Sequence, residues 1–148
     1  KNFRVTVITQ NIDNLHERAG SSHIIHLHGE LTKVCSSRDP YNPHYIKELK
    51  PEEYEVKLGD KAGDGTQLRP FIVWFGEAVP EIETAIQYVE KADIFVIIGT
   101  SLNVYPAAGL LHYVPREAAV YTHTSRPVHV IQKGASEGVA ELKQLLGV

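Results

Sequence analysis

Five consecutive apolar residues, Ile94-Phe95-Val96-Ile97-Ile98, run directly into Gly99-Thr100-Ser101. A strand that is apolar on both faces is one buried on both faces, the condition of a parallel sheet covered by helices. A sheet with one wet face would alternate instead. Around this strand the chain alternates strand-like and helix-like segments, which predicts an α/β fold with a Rossmann-like, doubly wound parallel sheet. Phe3 to Thr9 is rich in β-branched residues and is already extended at its start, so the sheet is expected to be incomplete at its N-terminal side. Asn14 to Ala19 tolerates a helix that Gly20 would stop. In His23 to His28, alternation places Ile25 and Leu27 on one face and His26 and His28 on the other. After Pro80, Ile82, Ala85, Ile86 and Val89 recur at helical spacing. Pro106 opens a further helix through Tyr113, Ala118 to Tyr121 and Val128 to Ile131 are strand candidates, and Val139, Leu142, Leu145 and Leu146 mark a closing helix.

Between Ser36 and Gln67 this texture is interrupted. Pro40, Pro43 and Pro51, the acidic Glu52-Glu53 and the run Gly59-Asp60-Lys61-Ala62-Gly63-Asp64-Gly65 break any long period. Residues 36–67 are expected to form a small inserted module held by apolar anchors such as Tyr41, Tyr45, Ile46, Leu49 and Tyr54. Residues 1–35 and 68–148 would be the two parts of the Rossmann-like domain.

The 148 residues can bury a core without disulfide or metal staples, and 43% hydrophobic against 22% charged residues excludes a disordered tail. A net charge of -3 gives no basic surface for a phosphate backbone, so nucleic acid is not an expected partner. The longest apolar run is far too short to cross a bilayer, nothing resembles a signal peptide, and the single cysteine excludes an internal disulfide. A cytoplasmic monomer is expected. No methionine occurs, which implies a fragment or a sequence from which residues are missing, with the spacings near Pro80 and Tyr121 least secure.

In open α/β sheets ligands bind beyond the carboxyl ends of the strands. Three polar clusters fall at such ends: Thr9-Gln10-Asn11-Ile12-Asp13, His28-Gly29 and Gly99-Thr100-Ser101. Glycine lets backbone N–H groups approach a phosphate or ribose, although Gly-Thr-Ser is equally the wording of a βα turn with a hydroxyl cap. Gln10, Asn11 and Asp13 suit an amide or a sugar hydroxyl, or else form an Asx turn before the next helix. His28 is a candidate acid–base group, or a structural histidine. His26 and His28 offer two metal ligands on one face, but no third at matching spacing, and no metal is expected. Trp74-Phe75-Gly76-Glu77 is either core and turn or the wall of a peptide groove, with Val104-Tyr105-Pro106 as an opposite wall.

Taken together, Thr9-Gln10-Asn11-Ile12-Asp13-Asn14-Leu15-His16, Leu27-His28-Gly29, Arg69-Pro70 through Val73-Trp74-Phe75-Gly76-Glu77, and Gly99-Thr100-Ser101-Leu102 with Val104-Tyr105-Pro106-Ala107 resemble the sirtuin family of NAD-dependent protein-lysine deacylases. The likeness is nearest to the bacterial branch that includes broad-range and succinyl-lysine deacylases. It implies NAD as cofactor and an acyl-lysine protein or peptide as substrate. His28 would be the general base on the NAD ribose, with Asn11 and Asp13 in the pocket for nicotinamide and its ribose and Gln10 beside them. Gly99, Thr100 and Ser101 would contact ADP-ribose, and Ala135 with Lys133 and Gly134 would lie by the adenine. Val73, Trp74, Phe75, Gly76 and Glu77 would form one side of the acyl-lysine cleft, and Leu102, Val104 and Tyr105 the other.

Three departures from the family pattern shape the expectation. The family's glycine-rich phosphate loop and the residues that recognise succinyl groups belong upstream of Lys1, so the chain alone is expected to be inactive. Of four zinc cysteines usual in the inserted module only Cys35 is present, implying a zinc-free variant. The stretch after Tyr121, where the family supplies an adenosine-ribose contact, is short, and Thr122-His123 stand there. The competing reading is a non-catalytic peptide-binding module of the same fold.

Overall fold

A computed structural model describes residues 3–50, 52, 54–121 and 129–148. They divide into two compact units, Val5–Glu83 and Thr84–Val148, the latter joined by the N-terminal residues through Arg4. The fold is mixed α/β with parallel strand pairs, of the Rossmann-like class.

The first unit begins with a short βαβ element. Strand β1 (Val7–Thr9) pairs in parallel with β2 (Ile24–His26), Val7 opposite Ile24 and Thr9 opposite His26, and helix α1 (Leu15–Arg18) lies in the crossover. The helix is one turn long because polar residues fill its sequence and Gly20, at φ +87°, turns the chain away. As the alternation requires, Ile25 and Leu27 are buried, and Leu27 is 1% exposed. Strand β3 (Gly29–Ser36) is the centre of an antiparallel sheet, flanked by β4 (Lys47–Glu48) and β5 (Leu68–Ile72), with an irregular register between Glu30 and Val34. Val34, Cys35 and Ser36 at its end are buried. Burial of Leu27 and Val34 stabilises the unit by about 1.5–3 kcal/mol each.

The stretch between β3 and β5 contains a 3-10 helix, Pro43–Tyr45, whose Asn42 caps the His44 N–H. Apolar anchoring alone does not hold it, since Tyr54 is exposed and the described anchors Tyr41, Tyr45, Ile46 and Leu49 are only half-buried. A polar knot does much of the work instead. The Ser36 hydroxyl donates to Asp64 Oδ2 at 2.7 Å, the Thr66 hydroxyl donates to Oδ1 at 2.7 Å, and Ser36 Oγ accepts the N–H groups of Arg38 and Asp39. Small polar residues at these places form local hydrogen bonds that regular structure would not use.

In the second unit, helix α2 (Ile82–Val89) buries Ala85 and Val89, the face set by the i, i+3, i+7 spacing. Strand β6 (Ile94–Val96) pairs in parallel with β7 (Ala119–Tyr121), and the Ile97 N–H extends the ladder to the Tyr121 carbonyl at 2.8 Å. The Ile94–Ile98 run is therefore shorter as a strand than its composition suggests, and it is not sealed on both faces. Val96 and Ile98, which alternation puts on one face, are exposed, and Gly99 at φ +66° then ends the extended path. After Pro106 the chain forms a 3-10 helix, Ala107–Tyr113, that buries Ala107, Ala108 and Leu110. Helix α3 (Ala135–Leu146) buries Leu142 and ends on Gly147 in the left-handed conformation, while Val139 and Leu145 are exposed. Of the strand expected over 128–131, Val128 lies outside the described residues, and what is described is a single bridge between His129 and Tyr121. Thr122 and His123 also lie outside the described residues.

Candidate active site

In the first unit the polar segment after β1 is fixed by its own short side chains. Thr9 Oγ1 accepts the Asn11 N–H at 3.1 Å, and Asp13 Oδ1 accepts the Leu15 N–H at 3.0 Å, so Asp13 forms the Asx turn that starts α1. The Leu31 N–H donates to the Ile12 carbonyl at 2.8 Å and ties this segment to β3. Asn11 is exposed, whereas Gln10 and Asp13 are half-buried.

The two histidines on the polar face of the β2 segment both point at this loop. His28 Nδ1 lies 3.1 Å from the Gln10 carbonyl and His26 Nδ1 lies 3.2 Å from the Asn11 carbonyl. A carbonyl only accepts, so each Nδ1 carries a proton and donates. For His28 this leaves Nε2 with its lone pair as the basic atom, the tautomer a general base needs. His26 turns its Nε2 to Glu17 Oε1 at 2.7 Å. That hydrogen bond holds the Glu17 carboxyl below its ordinary value of 4.5.

Gly29 makes the position of His28 possible. It sits at φ +78°, and a Cβ there would lie 2.2 Å from the Phe71 carbonyl oxygen. Only glycine lets β3 leave the histidine so close to β5. The His28 carbonyl in turn accepts the Val73 N–H at 2.9 Å, joining the histidine to the start of the Trp74-Phe75-Gly76-Glu77 turn.

That turn is closed by a charged clamp. Arg69 Nη1 and Nη2 donate to Glu77 Oε1 and Oε2 at 2.7 and 2.9 Å, Arg69 Nη2 reaches the Ile72 carbonyl at 3.3 Å, and Glu77 Oε2 also accepts the Trp74 N–H at 3.0 Å. The guanidinium holds the Glu77 carboxyl below its ordinary value, and the carboxylate pushes the Arg69 guanidinium upward. Glu77 thus serves the turn from within, while Trp74 is 53% exposed and Phe75 fully exposed at its tip. Trp74 and Phe75 are therefore not core residues of this unit. Arg69 is a residue that sequence reasoning quoted within a motif but gave no role.

In the second unit a cleft of about 590 Å3 is lined by Val96, Ile98, Gly99, Lys133, Gly134 and Ala135, with further residues of β7 and α3. Gly99 and Ala135 therefore meet in one concavity of a size usual for a small-molecule site. Ile131, Gln132 and Gly138 also line it and carried no signal in the sequence beyond their place before and within α3. Thr100 Oγ1 accepts the Leu102 N–H at 3.2 Å, and Leu102 has φ 56°, so Gly99-Thr100-Ser101 is a tight turn. Val104 and Tyr105 are exposed, Tyr105 at 71%.

The model of the Sir2 family matches residues 1–106. Among curated proteins, an NAD-dependent protein deacylase of Bacteroides thetaiotaomicron is 86% identical over 154 residues, taking in 99% of this chain and 66% of the relative. One of Helicobacter pylori (strain 26695) is 47% identical over 150 residues, covering 96% of this chain and 63% of the relative. Among solved structures, a Sir2 homolog–NAD complex superposes with a TM-score of 0.75 at 34% identity, over 97% of this chain and 58% of that one. A Sir2–p53 peptide–NAD+ complex gives 0.70 at 29% identity, over 97% and 63%. The chain thus spans just under two thirds of the length of the relatives it matches. By the extent of these matches the chain belongs to the Sir2 family.

Proposed function

We propose that the protein to which these residues belong removes acyl groups from protein lysines with NAD, giving nicotinamide and O-acyl-ADP-ribose. The observation that carries this reading is His28: Nδ1 is committed to the Gln10 carbonyl, Nε2 is left basic, and Gly29 keeps the adjoining strand close. Bound NAD supplies an activated anomeric carbon and a leaving group. His28 Nε2 accepts the proton of a ribose hydroxyl, a task for which a neutral imidazole suffices. Asn11, Asp13 and Gln10 orient nicotinamide and its ribose. Gly99, Thr100, Ser101 and Ala135 hold the ADP-ribose part, and the cleft fits this role because Gly99, Gly134 and Gly138 expose backbone to a ligand while Val96, Ile98 and Val139 offer an apolar wall. Val73, Trp74, Phe75, Gly76, Glu77, Leu102, Val104 and Tyr105 receive the acyl-lysine segment, whose apolar part the exposed rings exclude from water.

Residues 36–67 are read as an inserted, zinc-free module. In support, its ends meet, with Ser36 opposite Leu68 in the β3–β5 ladder, and hydrogen bonds among Ser36, Asp64 and Thr66 tie them together. The substrate is an acetyl-lysine, with succinyl- and malonyl-lysine as the alternatives within the same chemistry, and the enzyme is a cytoplasmic monomer with no nucleic-acid partner. The 148 residues by themselves are inactive. The test compares this chain with one completed by the part of the Bacteroides relative that it does not match, each given NAD and acetyl-, malonyl- or succinyl-lysine peptide. Nicotinamide and O-acyl-ADP-ribose from the completed chain only are the expected result. Peptide binding that ignores NAD, with no nicotinamide from either, would favour a non-catalytic binding module.

A further inference from the structure

The first unit carries a second cluster of ligating side chains that none of the roles above uses. Glu17 on α1, His26 on β2 and Glu30 on β3 bring one ligand atom each within 4.8 Å of one another. The His26 side chain is 8% exposed, that of Glu30 25% and that of Glu17 40%. The nearly buried imidazole has its Nδ1–H fixed on the Asn11 carbonyl and its Nε2 facing the two carboxylates. This is how metal-binding histidines are oriented, since a hydrogen bond from one ring nitrogen to a backbone carbonyl fixes the tautomer that offers the other to the ion.

We propose that Glu17, His26 and Glu30 form a binding site for a divalent transition-metal ion, zinc being the ion whose ligand chemistry matches one imidazole and two carboxylates. Zn–N and Zn–O bonds of about 2.0–2.1 Å put tetrahedral ligand atoms about 3.3 Å apart. The cluster must therefore tighten, while the Glu17–His26 pair, at 2.7 Å, must open slightly. Both movements fall on carboxylate arms that reach solvent, and the anchored ring stays in place. Water completes the fourth position, as in open three-ligand zinc sites.

In the absence of the ion, His26 Nε2 lies 2.7 Å from Glu17 Oε1, and the Lys33 ammonium donates to Glu30 Oε2. On binding, the ion takes the Nε2 lone pair, any proton on that nitrogen is released to solvent, and Lys33 keeps its charge and gives way or remains on the second Glu30 oxygen. The ring that binds the ion also holds the Asn11 carbonyl, one residue from the Gln10 carbonyl that holds His28, so an ion here stiffens the same loop from its other side. The site does not depend on the deacylation reading.

The chain has eight histidines, so the experiment must place the ion as well as count it. The intact chain is stripped with a chelator, titrated with Zn2+ alone against a zinc-binding dye, and crystals soaked in Zn2+ are measured at the zinc absorption edge. Glu17→Gln and Glu30→Gln are compared with it, their folding checked by thermal melting without zinc; these are preferred to a His26 variant, which would also free the Asn11 carbonyl. The expected result is one ion per chain, an anomalous peak about 2.0–2.1 Å from His26 Nε2, and affinity reduced at least tenfold in both variants. Zinc held equally well by either folded variant, a peak on other histidines instead, or no uptake below millimolar zinc overturns the proposal.

Discussion

Replacing Glu77 with glutamine tests the clamp that closes the Trp74–Glu77 turn. Glu77→Gln keeps the shape and one acceptor but removes the charge and one of two short hydrogen bonds to Arg69. Hydrogen bonds to charged groups contribute about 1.5–3 kcal/mol each, and exposed ion pairs only about 0–1. The Arg69 and Glu77 side chains are 19% and 32% exposed, which puts the pair between these limits. A loss of about 2 kcal/mol follows, since the guanidinium retains one neutral partner and the Ile72 carbonyl. For a chain of this size that lowers Tm by about 4–8 °C at pH 7. It also raises the population of the opened turn roughly thirtyfold, so chymotrypsin at low concentration cuts after Trp74 or Phe75 correspondingly faster. The effect depends on pH with a definite sign. Arg69 depresses the Glu77 pKa in the folded state, so the clamp's contribution is full above the ordinary value of 4.5 and fades as pH falls through the lower folded-state value. Wild type and Glu77→Gln should therefore converge in Tm once pH has fallen through that lowered folded-state value. Equal Tm and equal cleavage rates at pH 7, or a difference that persists undiminished at low pH, would refute the reasoning.

Three further outcomes follow from the geometry. Gly29→Ala places a Cβ 2.2 Å from the Phe71 carbonyl at a positive φ, and should destabilise by about 2–5 kcal/mol in urea denaturation, unlike Gly20→Ala, where the new methyl meets nothing and only φ is strained. Ser36 and Thr66 hold the Asp64 carboxyl down to about 2 from an ordinary 3.8, so its contribution to stability is present above pH 3.8 and lost between there and about pH 2; acid unfolding of Asp64→Asn should lack that component. Cys35 is buried at 0% exposure, donates its thiol to the Pro70 carbonyl and has its pKa raised by burial, so a disulfide reagent at pH 8 should label it only as fast as the chain unfolds.

The sequence was most legible where one residue's neighbours in the chain are also its neighbours in space. The alternation Ile25, His26, Leu27, His28 fixed which side chains would be buried and which would face the polar loop. The spacing Ile82, Ala85, Ile86, Val89 located α2, and Asp13 caps α1 as an Asx residue should. The run Ile94–Ile98 reads as buried on both faces because composition reports apolarity but not what covers each face, and Val96, Ile97 and Ile98 line a cleft instead. Arg69 and Glu77 are not paired by any local pattern, because the end of a strand and a turn lie between them and only the folded turn brings the carboxylate back to the guanidinium. Glu17, His26 and Glu30 belong to three elements, which the β1–β2 pairing and the Leu31 N–H bond to the Ile12 carbonyl hold beside one another. The inserted segment reads as held by apolar anchors, and Tyr41 does pack against Phe71, but the hydrogen bonds of Ser36, Asp64 and Thr66 that also tie it depend on backbone turns that composition does not specify.

The central claim is that His28 Nε2 is the base of a deacylation, and the most direct measurement is the rate at which the completed chain, with and without His28→Ala, converts NAD and an acetyl-lysine peptide to nicotinamide and O-acyl-ADP-ribose. General-base catalysis contributes about 10²–10⁴ in rate, so the variant should lose at least a hundredfold in kcat while its NAD affinity, measured separately by calorimetry, stays within about threefold. Turnover by His28→Ala within threefold of the unaltered chain would contradict the account.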